Sequence, residues 1–362
     1  MNIILVAPLF GNGGIASWTK KFLKTFPNED FKVYPISVVR KPKKKYSSLV
    51  GRILDGAMDM YNISKELKKI IKKHHIDVLH ITSSASLGTY RDKMVAKFCR
   101  THNIKCILHY RYGNLPNDLN TEGRQKNLLL ETMSLYDNVW VLDRKTYNTL
   151  SSYPTLKDKI QLTPNSIEVN HMEEIPSKKY RNFLFMANVY PTKGVFEIIE
   201  AMKNVNYDVK LNIVGPATNE IIEKMKISSG DLWGNKIEYL GAYSNVKAVK
   251  LLKKMDCLVL PSYYIGEAFP MSILEAMSYG KLVISTPRAA IPDMLTSLDG
   301  SRCGIIVEER SVTQLTDAIN WCLSNPEEAD KLCEKAYEKV KQCYSVEVVY
   351  QMYRNLYNRL LL

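Results

Sequence analysis

Short apolar runs alternate along the chain with longer stretches in which apolar residues recur every three or four positions. The short runs are typical of buried parallel strands, and the longer spacing is typical of amphipathic helices. In the first half we predict strands at 2–7, 31–39, 76–81, 104–110, 138–142 and 160–163. The helices predicted between them cover 15–26, 61–74, 93–101 and 124–134.

The same alternation resumes after a polar segment, residues 169–181, which has the character of a linker between domains. Strands are predicted there at 182–187, 210–214, 237–240, 257–260, 281–285 and 304–307. The predicted helices cover 195–202, 220–226, 246–254, 270–279, 312–323, 326–344 and 346–361. This pattern predicts an α/β protein with two doubly wound domains, residues 1–168 and 169–345, followed by a last helix.

The positive charge of the chain is confined to its first half. Residues 1–170 hold 27 Lys and Arg against 14 Asp and Glu, an excess of 13, whereas residues 171–362 hold 23 of each. Such asymmetry indicates an anionic partner for the first half: a membrane surface, a phosphorylated acceptor or nucleic acid. The alternative is a solvated basic surface that keeps the protein soluble.

Two basic stretches account for much of this excess. The first is the run RKPKKK, and the second is the helix predicted at 61–74, which has Ile63, Leu67 and Ile70 on one face and lysines on the other. Such a helix is suited to anionic lipid, although an ordinary surface helix has the same pattern. The candidates for membrane or acceptor binding are Arg40, Lys41, Lys43, Lys44, Lys45, Lys68, Lys69, Lys72, Lys73 and Arg111.

The cysteines and the lengths of the apolar runs indicate the cellular compartment of the protein. The seven cysteines are odd in number and lack C-x-x-C spacing, which predicts reduced thiols rather than disulfides or a zinc site. The apolar start, residues 3–10, has no preceding basic region, so we expect no signal peptide. No apolar stretch is long enough to span a bilayer. We therefore expect a cytoplasmic protein, peripherally associated with the inner face of the membrane.

Residues 257–286 form a unit of strand, loop, helix and strand with two carboxylates. Pro270 and Gly280 are the expected start and stop signals of the helix. Glu267 lies in the loop ahead of this helix, and Glu275 lies inside it, eight positions later. Free backbone N–H groups at a helix N-terminus favour an anion such as a phosphate.

The segment EAFPMSILEAMSYGKLVIST resembles the E-x7-E motif of the retaining, nucleotide-sugar-dependent glycosyltransferases of family four. Besides the two glutamates, the resemblance is carried by Phe269, Pro270, Met271, Ala276, Met277 and Gly280. It implies the GT-B fold, two Rossmann-like domains facing across a cleft. It also implies that the last helix, residues 346–362, packs back on the first domain.

The resemblance implies roles for residues of the second domain. Glu275 would bind the ribose hydroxyls and Glu267 the donor sugar, although Glu267 as a solvated loop residue is the alternative. Lys193 would contact the donor diphosphate, but Asn188 stands where the family has a second cation, an arginine. The remaining candidates line the nucleotide or its phosphates: Gly215, Gly241, Phe269, Pro270, Met271 and Ser272.

In the first domain the resemblance implies that His109 contacts the donor sugar and that the Gly13–Gly14 loop lies close to the diphosphate and the acceptor. The same loop satisfies the dinucleotide pattern G-x-G-x-x-A. However, the second strand leads into Arg40 and a lysine run, whereas a dinucleotide site has an acidic residue there. We expect His80 to be structural. The segment PNSIE resembles the family's P-N-G-V-D, with Ser166 in place of glycine.

The predicted function is transfer of a sugar, with retention, from a UDP- or GDP-sugar to a glycan or polyprenyl-diphosphate-linked acceptor in bacterial-type surface polysaccharide synthesis. The chain has no D-x-D triplet, so we expect neither a metal site nor a cofactor. The alternatives are a nucleotide-sugar epimerase of the same fold, a protein that binds nucleotide sugar without turnover, and a basic nucleic-acid-binding protein. We expect no nucleic acid as a partner, because the last alternative leaves the second half unexplained.

Overall fold

Each half of the chain builds one parallel sheet of six strands. The computed structural model describes residues 1–11, 13–38, 49–85, 88–169, 179–205 and 207–362. Its internal contacts divide the chain into unit 1, residues 1–165 and 349–362, and unit 2, residues 166–348. The run RKPKKK and residues 170–178 of the predicted linker lie outside the described residues.

Unit 1 has the strand order β2-β1-β3-β4-β5-β6. Its strands are β1 (Asn2–Ala7), β2 (Lys32–Ser37), β3 (Val78–Ser83), β4 (Lys105–Tyr110), β5 (Asn138–Val141) and β6 (Ile160–Leu162). Its helices are α1 (Gly14–Thr25), α2 (Leu49–Ile71), α3 (Gly88–Thr101), α4 (Leu115–Asn120), α5 (Arg124–Ser134) and α6 (Arg144–Ser151), with a 3-10 turn at Lys157–Lys159.

Unit 2 has the strand order β12-β11-β10-β7-β8-β9. Its strands are β7 (Asn182–Met186), β8 (Lys210–Val214), β9 (Ile237–Gly241), β10 (Cys257–Leu260), β11 (Leu282–Ser285) and β12 (Ile305–Ile306). Its helices are α7 (Val195–Lys203), α8 (Asn219–Ser229), α9 (Asn245–Leu252), α10 (Met271–Ser278), α11 (Ile291–Met294), α12 (Val312–Ser324) and α13 (Pro326–Lys339), with 3-10 turns at Pro191–Lys193 and Gly230–Leu232 and a π turn at Val340–Tyr344. The last helix is α14 (Val346–Leu361).

An aromatic layer covers one face of the unit 1 sheet. Phe22 of α1 stacks on Phe26 with ring centroids 4.5 Å apart, and Trp140 of β5 lies 4.9 Å from Tyr353 of α14. We call the buried rings Trp18, Phe22, Phe26, His80, His109, Trp140, Tyr353 and Tyr357 the aromatic layer. The last helix thus completes the core of the first unit, because its tyrosines pack against residues from the first 140 positions.

The largest difference from the predicted elements concerns α2. The pattern predicted a helix at 61–74, whereas the helix begins at Leu49 and ends at Ile71. Gly51, Gly56 and interspersed aspartates hide the helical period in its first half. The predicted apolar face is confirmed where Ile63 and Leu67 are buried. None of the described residues of α2 before Ile63 is buried, so the described part of its first half lies outside the core.

Candidate functional site

The loops that follow β7 and β10 interlock at the carboxyl end of the unit 2 sheet. These strands are neighbours, with Phe183 paired to Cys257. Gly194 adopts a φ of +83°, and a Cβ there would lie 2.2 Å from the carbonyl oxygen of Pro261. Only glycine fits this contact, which fixes Lys193 beside the β10 loop.

Lys193 and Glu267 form a buried ion pair in this contact. Lys193 Nζ lies 2.6 Å from Glu267 Oε2, and the two side chains are only 13% and 9% exposed. Ser262 Oγ donates a second hydrogen bond to the same oxygen at 2.9 Å. The ammonium also lies 4.7 Å from the ring centroid of Tyr264, a cation–π contact. The structure therefore excludes the alternative of a solvated Glu267.

Helix α10 presents an uncapped N-terminus in the same loop region. Its N-cap residue is Pro270, no side chain caps it, and its first turn carries no acidic residue. Phe269, immediately before, packs edge-on against Tyr344 with ring centroids 5.4 Å apart. The free N–H groups and the helix dipole of a fixed N-terminus favour a phosphate.

Glu275 lies in the middle of α10 and is half-buried. Its Oε1 accepts a hydrogen bond of 3.0 Å from Asn245 Nδ2. The neighbours Leu274, Ala276 and Met277 are buried. The carboxylate of Glu275 itself reaches the surface and has an amide donor, so it is neither fully buried nor without a partner.

Two glycines shape the loops after β8 and β9. Gly215 has a φ of +144°, and a Cβ on it would lie 1.7 Å from the carbonyl oxygen of Ala187. Its N–H donates to the carbonyl oxygen of Gly241 at 3.0 Å. Asn188, next to Ala187, is exposed. The candidates Asn188, Gly215 and Gly241 are therefore drawn together along β7, β8 and β9.

In unit 1, His109 lies at the centre of a buried chain of hydrogen bonds. Arg111 Nη1 lies 3.2 Å from His109 Nε2, and His109 Nδ1 lies 3.2 Å from His80 Nε2. His80 Nδ1 lies 2.5 Å from the Tyr357 hydroxyl. Both ring nitrogens of His109 are thus engaged, and His109 is fully buried. The predicted contact of His109 with a donor sugar stays a prediction.

The direction of this chain follows from its arginine. A guanidinium only donates, so His109 Nε2 accepts, and His109 Nδ1 must carry the proton that it donates to His80. His80 in turn donates from Nδ1 to Tyr357. Burial, with the charge of Arg111, lowers the pKa of His80 to about 3 and holds the pKa of His109 well below its usual range. Both rings are therefore neutral at pH 7.

The Gly13–Gly14 loop is open. Both glycines are exposed, and nothing lies within 4 Å of a Cβ added to either. Gly13 is the N-cap of α1, which has no side-chain cap and no acidic residue in its first turn. The loop therefore leaves a second helix N-terminus accessible, this time in unit 1.

Helix α2 carries a single exposed stripe that is apolar at its start and basic at its end. Leu54, Met58 and Tyr61 are 65%, 61% and 65% exposed. Lys65 is exposed and continues the same three-to-four spacing. Four of the predicted lysines are also exposed, Lys68 and Lys69 in the helix and Lys72 and Lys73 just beyond its end. The predicted Arg40, Lys41, Lys43, Lys44 and Lys45 lie outside the described residues.

Sequence reasoning missed the partners that hold the candidates in place. Ser262, Tyr264 and Asn245 contact Glu267, Lys193 and Glu275, and only the structure reveals them. Ser262 and Tyr264 lie within residues 257–286, so their closeness to Glu267 in the sequence was a usable signal. Asn245 begins another helix, and nothing in the local sequence relates it to Glu275.

The part of the chain that the structure describes offers neither a metal cluster nor a membrane-spanning helix. No three His, Cys, Asp or Glu side chains there are grouped so as to hold a metal ion. No described helix combines the length and the apolar character needed to cross a bilayer.

Comparison with known proteins points to sugar transfer. Residues 167–339 match the family model of glycosyl transferases group 1. An uncharacterised glycosyltransferase of Methanocaldococcus jannaschii is 24% identical over 71% of this chain and 69% of its own length. The N,N'-diacetylbacillosaminyl-diphospho-undecaprenol alpha-1,3-N-acetylgalactosaminyltransferase of Campylobacter jejuni is 31% identical over 34% of this chain and 31% of its own length.

A solved structure shows the fold. HepE of Anabaena, in complex with UDP and glucose, superposes with a TM-score of 0.70 at 12% identity, covering 99% of this chain and all of the other. The two parallel six-stranded sheets of this chain match that architecture. The predicted GT-B fold is confirmed.

Proposed function

We propose that this chain, whose second unit carries the match to glycosyl transferases group 1, is a retaining glycosyltransferase. It moves a sugar from a UDP- or GDP-linked donor to a glycan or a polyprenyl-diphosphate-linked acceptor. The observation that carries this proposal is the buried Lys193–Glu267 pair beside the uncapped start of α10. It places a fixed cation and free N–H groups in one loop region, as a leaving diphosphate requires.

Lys193, the start of α10 and Glu275 each have a separate role in this reaction. Lys193 uses one N–H for Glu267, which leaves two for phosphate oxygens. The start of α10 stabilises the same charge through its dipole. Glu275, held by Asn245 at the surface of α10, accepts hydrogen bonds from the ribose hydroxyls. Charge that builds on the leaving diphosphate is thus neutralised by groups that are in place before the reaction.

We propose that transfer occurs on the front face of the sugar, so the anomeric configuration is retained. The bond between the anomeric carbon and the diphosphate oxygen breaks, and the acceptor hydroxyl attacks from the same side. The departing diphosphate oxygen takes the proton of that hydroxyl, so the reaction needs no separate base. The absence of a D-x-D triplet in the sequence supports a reaction without a bound metal.

The experiment that tests the function follows sugar transfer by purified variants. Glu267→Ala and Glu275→Ala should each lower the transfer rate, Glu267→Ala the more severely because it also removes the partner of Lys193. A thermal-shift panel of UDP-, GDP- and ADP-sugars selects the donor, since a ligand that binds only the folded state raises its stability. Wild-type rates in both variants would refute the proposal. Accumulation of an epimerised sugar without transfer would favour the epimerase.

We propose that the protein works at the cytoplasmic face of the membrane, with the α2 stripe on the lipid. The stripe lies opposite the buried face of the helix, because Ile63 and Leu67 point to the core while Leu54, Met58 and Tyr61 are exposed. Exposed apolar side chains in line with lysines fit the acyl boundary and the headgroups of an anionic bilayer. The acceptor of the Campylobacter relative, which its name describes as diphospho-undecaprenol-linked, agrees with this location.

Vesicle sedimentation tests this location. Replacement of Leu54, Met58 and Tyr61 by Ser should weaken binding to vesicles with 30% anionic lipid, and so should replacement of the stripe lysines by Gln. The matched control is Lys224 and Lys226→Gln in unit 2, which should leave binding unchanged. Equal binding of all variants, or equal binding of the wild type to neutral vesicles, would count against the stripe.

A further inference from the structure

We propose that Arg111 binds a phosphate group of a substrate in unit 1. Arg111 directly follows β4, and its backbone N–H donates to the carbonyl oxygen of Ser83 at 2.8 Å, which extends the strand ladder by one residue. It therefore lies at the carboxyl end of a central strand, the side on which parallel sheets bind ligands.

Neutral groups surround the guanidinium. Its carbon lies 4.4 Å from the ring centroid of Trp18, and its nitrogens donate to His109 Nε2 and to Asn165 Oδ1. Since His109 is uncharged at pH 7, none of these three groups balances the charge. Arg111 is only 7% exposed. Burial lowers its pKa to about 10, which leaves it protonated at pH 7.

No carboxylate pairs with Arg111 among the described residues, whereas two other partly buried arginines each have one. Arg91 lies 2.6 Å from Asp92, and Arg288 lies 2.7 Å from Glu309. A charge that is removed from water without an opposite charge is costly. A bound anion would remove this cost, so the geometry indicates that the missing counter-charge belongs to a ligand.

Phosphate is an anion that fits this arginine. A guanidinium offers a planar fork that matches two phosphate oxygens. Trp18, which stacks on the guanidinium, belongs to α1. The start of this helix at Gly13 and Gly14 is uncapped and open to a ligand. An arginine without a counter-charge thus packs against the helix whose N-terminus is accessible.

This inference rests on the proposed function for the identity of the ligand, because the donor of that reaction and a polyprenyl-linked acceptor both carry phosphate. The diphosphate of the donor and the diphosphate of a polyprenyl-linked acceptor have the same recognising chemistry. The experiment must therefore locate binding in unit 1 and then separate the two sources.

Hydrogen exchange of the full chain with inorganic diphosphate locates the site. We expect protection of amides in residues 105–114 of the wild type, and loss of that protection in Arg111→Gln through an affinity at least about tenfold lower. Arg111→Lys keeps the charge without the fork and should retain part of the protection. The matched control is Lys97→Gln, which removes one exposed charge from α3 and should behave as the wild type.

UDP and farnesyl diphosphate then serve as donor-like and acceptor-like probes. Protection of residues 105–114 by UDP alone assigns the phosphate to the donor, and protection by farnesyl diphosphate alone assigns it to the acceptor. The inference is overturned if none of the three compounds protects this segment, or if Arg111→Gln is protected like the wild type. Sugar transfer without such protection would refute the phosphate site at Arg111 and leave the proposed function unaffected. Protection without any sugar transfer would support the phosphate site and refute the proposed function.

Discussion

Replacing Glu267 by Gln removes one charge from the buried pair and keeps the shape of the side chain. The amide still accepts a hydrogen bond from Ser262, as the carboxylate does at 2.9 Å. Lys193 keeps its burial and loses its counter-charge. The variant therefore isolates what the carboxylate charge contributes to the stability of unit 2.

The distance and the burial set the magnitude of the effect. Two unit charges 2.6 Å apart attract by about 6 kcal/mol at an effective dielectric constant of 20, before desolvation is counted. Removing one partner of a buried pair costs about 3–5 kcal/mol, because the other charge stays buried. Since Gln retains hydrogen bonds, we expect the lower end, about 3 kcal/mol. For a unit of this size that corresponds to a Tm lower by about 6–12 °C.

Urea and thermal unfolding of the full chain measure this cost, and the chain supplies a matched control. Glu220 and Lys224 lie 2.7 Å apart, but their side chains are 75% and 58% exposed. Solvent screens such a pair, so Glu220→Gln should leave the transition almost unmoved. If Glu267→Gln and Glu220→Gln shift the transition equally, burial does not govern the strength of the Lys193–Glu267 pair and the reasoning is refuted.

Three further predictions concern stability. Gly215→Ala should unfold unit 2 or cost more than about 4 kcal/mol of stability, because the added Cβ would overlap a carbonyl oxygen. The control Gly234→Ala, at a φ of +78° in open space, should cost only about 1–2 kcal/mol. Equal urea midpoints for the two variants would disprove the overlap. Tyr357→Phe leaves the N–H of His80 Nδ1 without its acceptor and should lower the free energy of unfolding by about 1–3 kcal/mol in urea titrations, and an unchanged value would argue against that bond. Because the pKa of His80 is depressed to about 3 and that of His109 lies well below its usual range, each ring binds a proton below about pH 6.5 in the unfolded chain but not in the folded one. Stability should therefore fall from pH 6.5 towards pH 3, and His80 alone should contribute on the order of 2 kcal/mol at pH 5. His80→Gln should remove this share and make the fall shallower, and an equally steep fall would contradict it.

The fold was predictable because both sheets are parallel and buried on two faces. Such strands appear as continuous apolar runs, and β1 is a clear case, since residues 3–7 are all fully buried. The start of α2 was not predicted, because Gly51, Gly56 and the interspersed aspartates interrupt the helical pattern of its first half. Residues 144–151 form α6, which we did not predict, since most of that short helix is polar.

The candidate site was predictable only where the chemistry stands in one continuous motif. Glu267 and the start of α10 at Met271 follow closely on the end of β10 at Leu260, so the local pattern located them. The contact between Lys193 and Glu267 joins positions 74 apart and depends on Gly194 fitting under Pro261. The chain of hydrogen bonds from Arg111 to Tyr357 was equally unpredictable from the sequence, since tertiary packing alone brings its residues together.

The aromatic layer has a consequence for how the protein is made. Residues 349–362 belong to unit 1, but the ribosome reaches them only after it has synthesised all of unit 2. At about 5–20 residues per second, the sheet of unit 1 waits on the order of ten to forty seconds for Tyr353 and Tyr357. During that interval Trp140 and His80 lack their cover. The nascent chain therefore exposes an aromatic, aggregation-prone surface, which ribosome-associated chaperones are suited to protect.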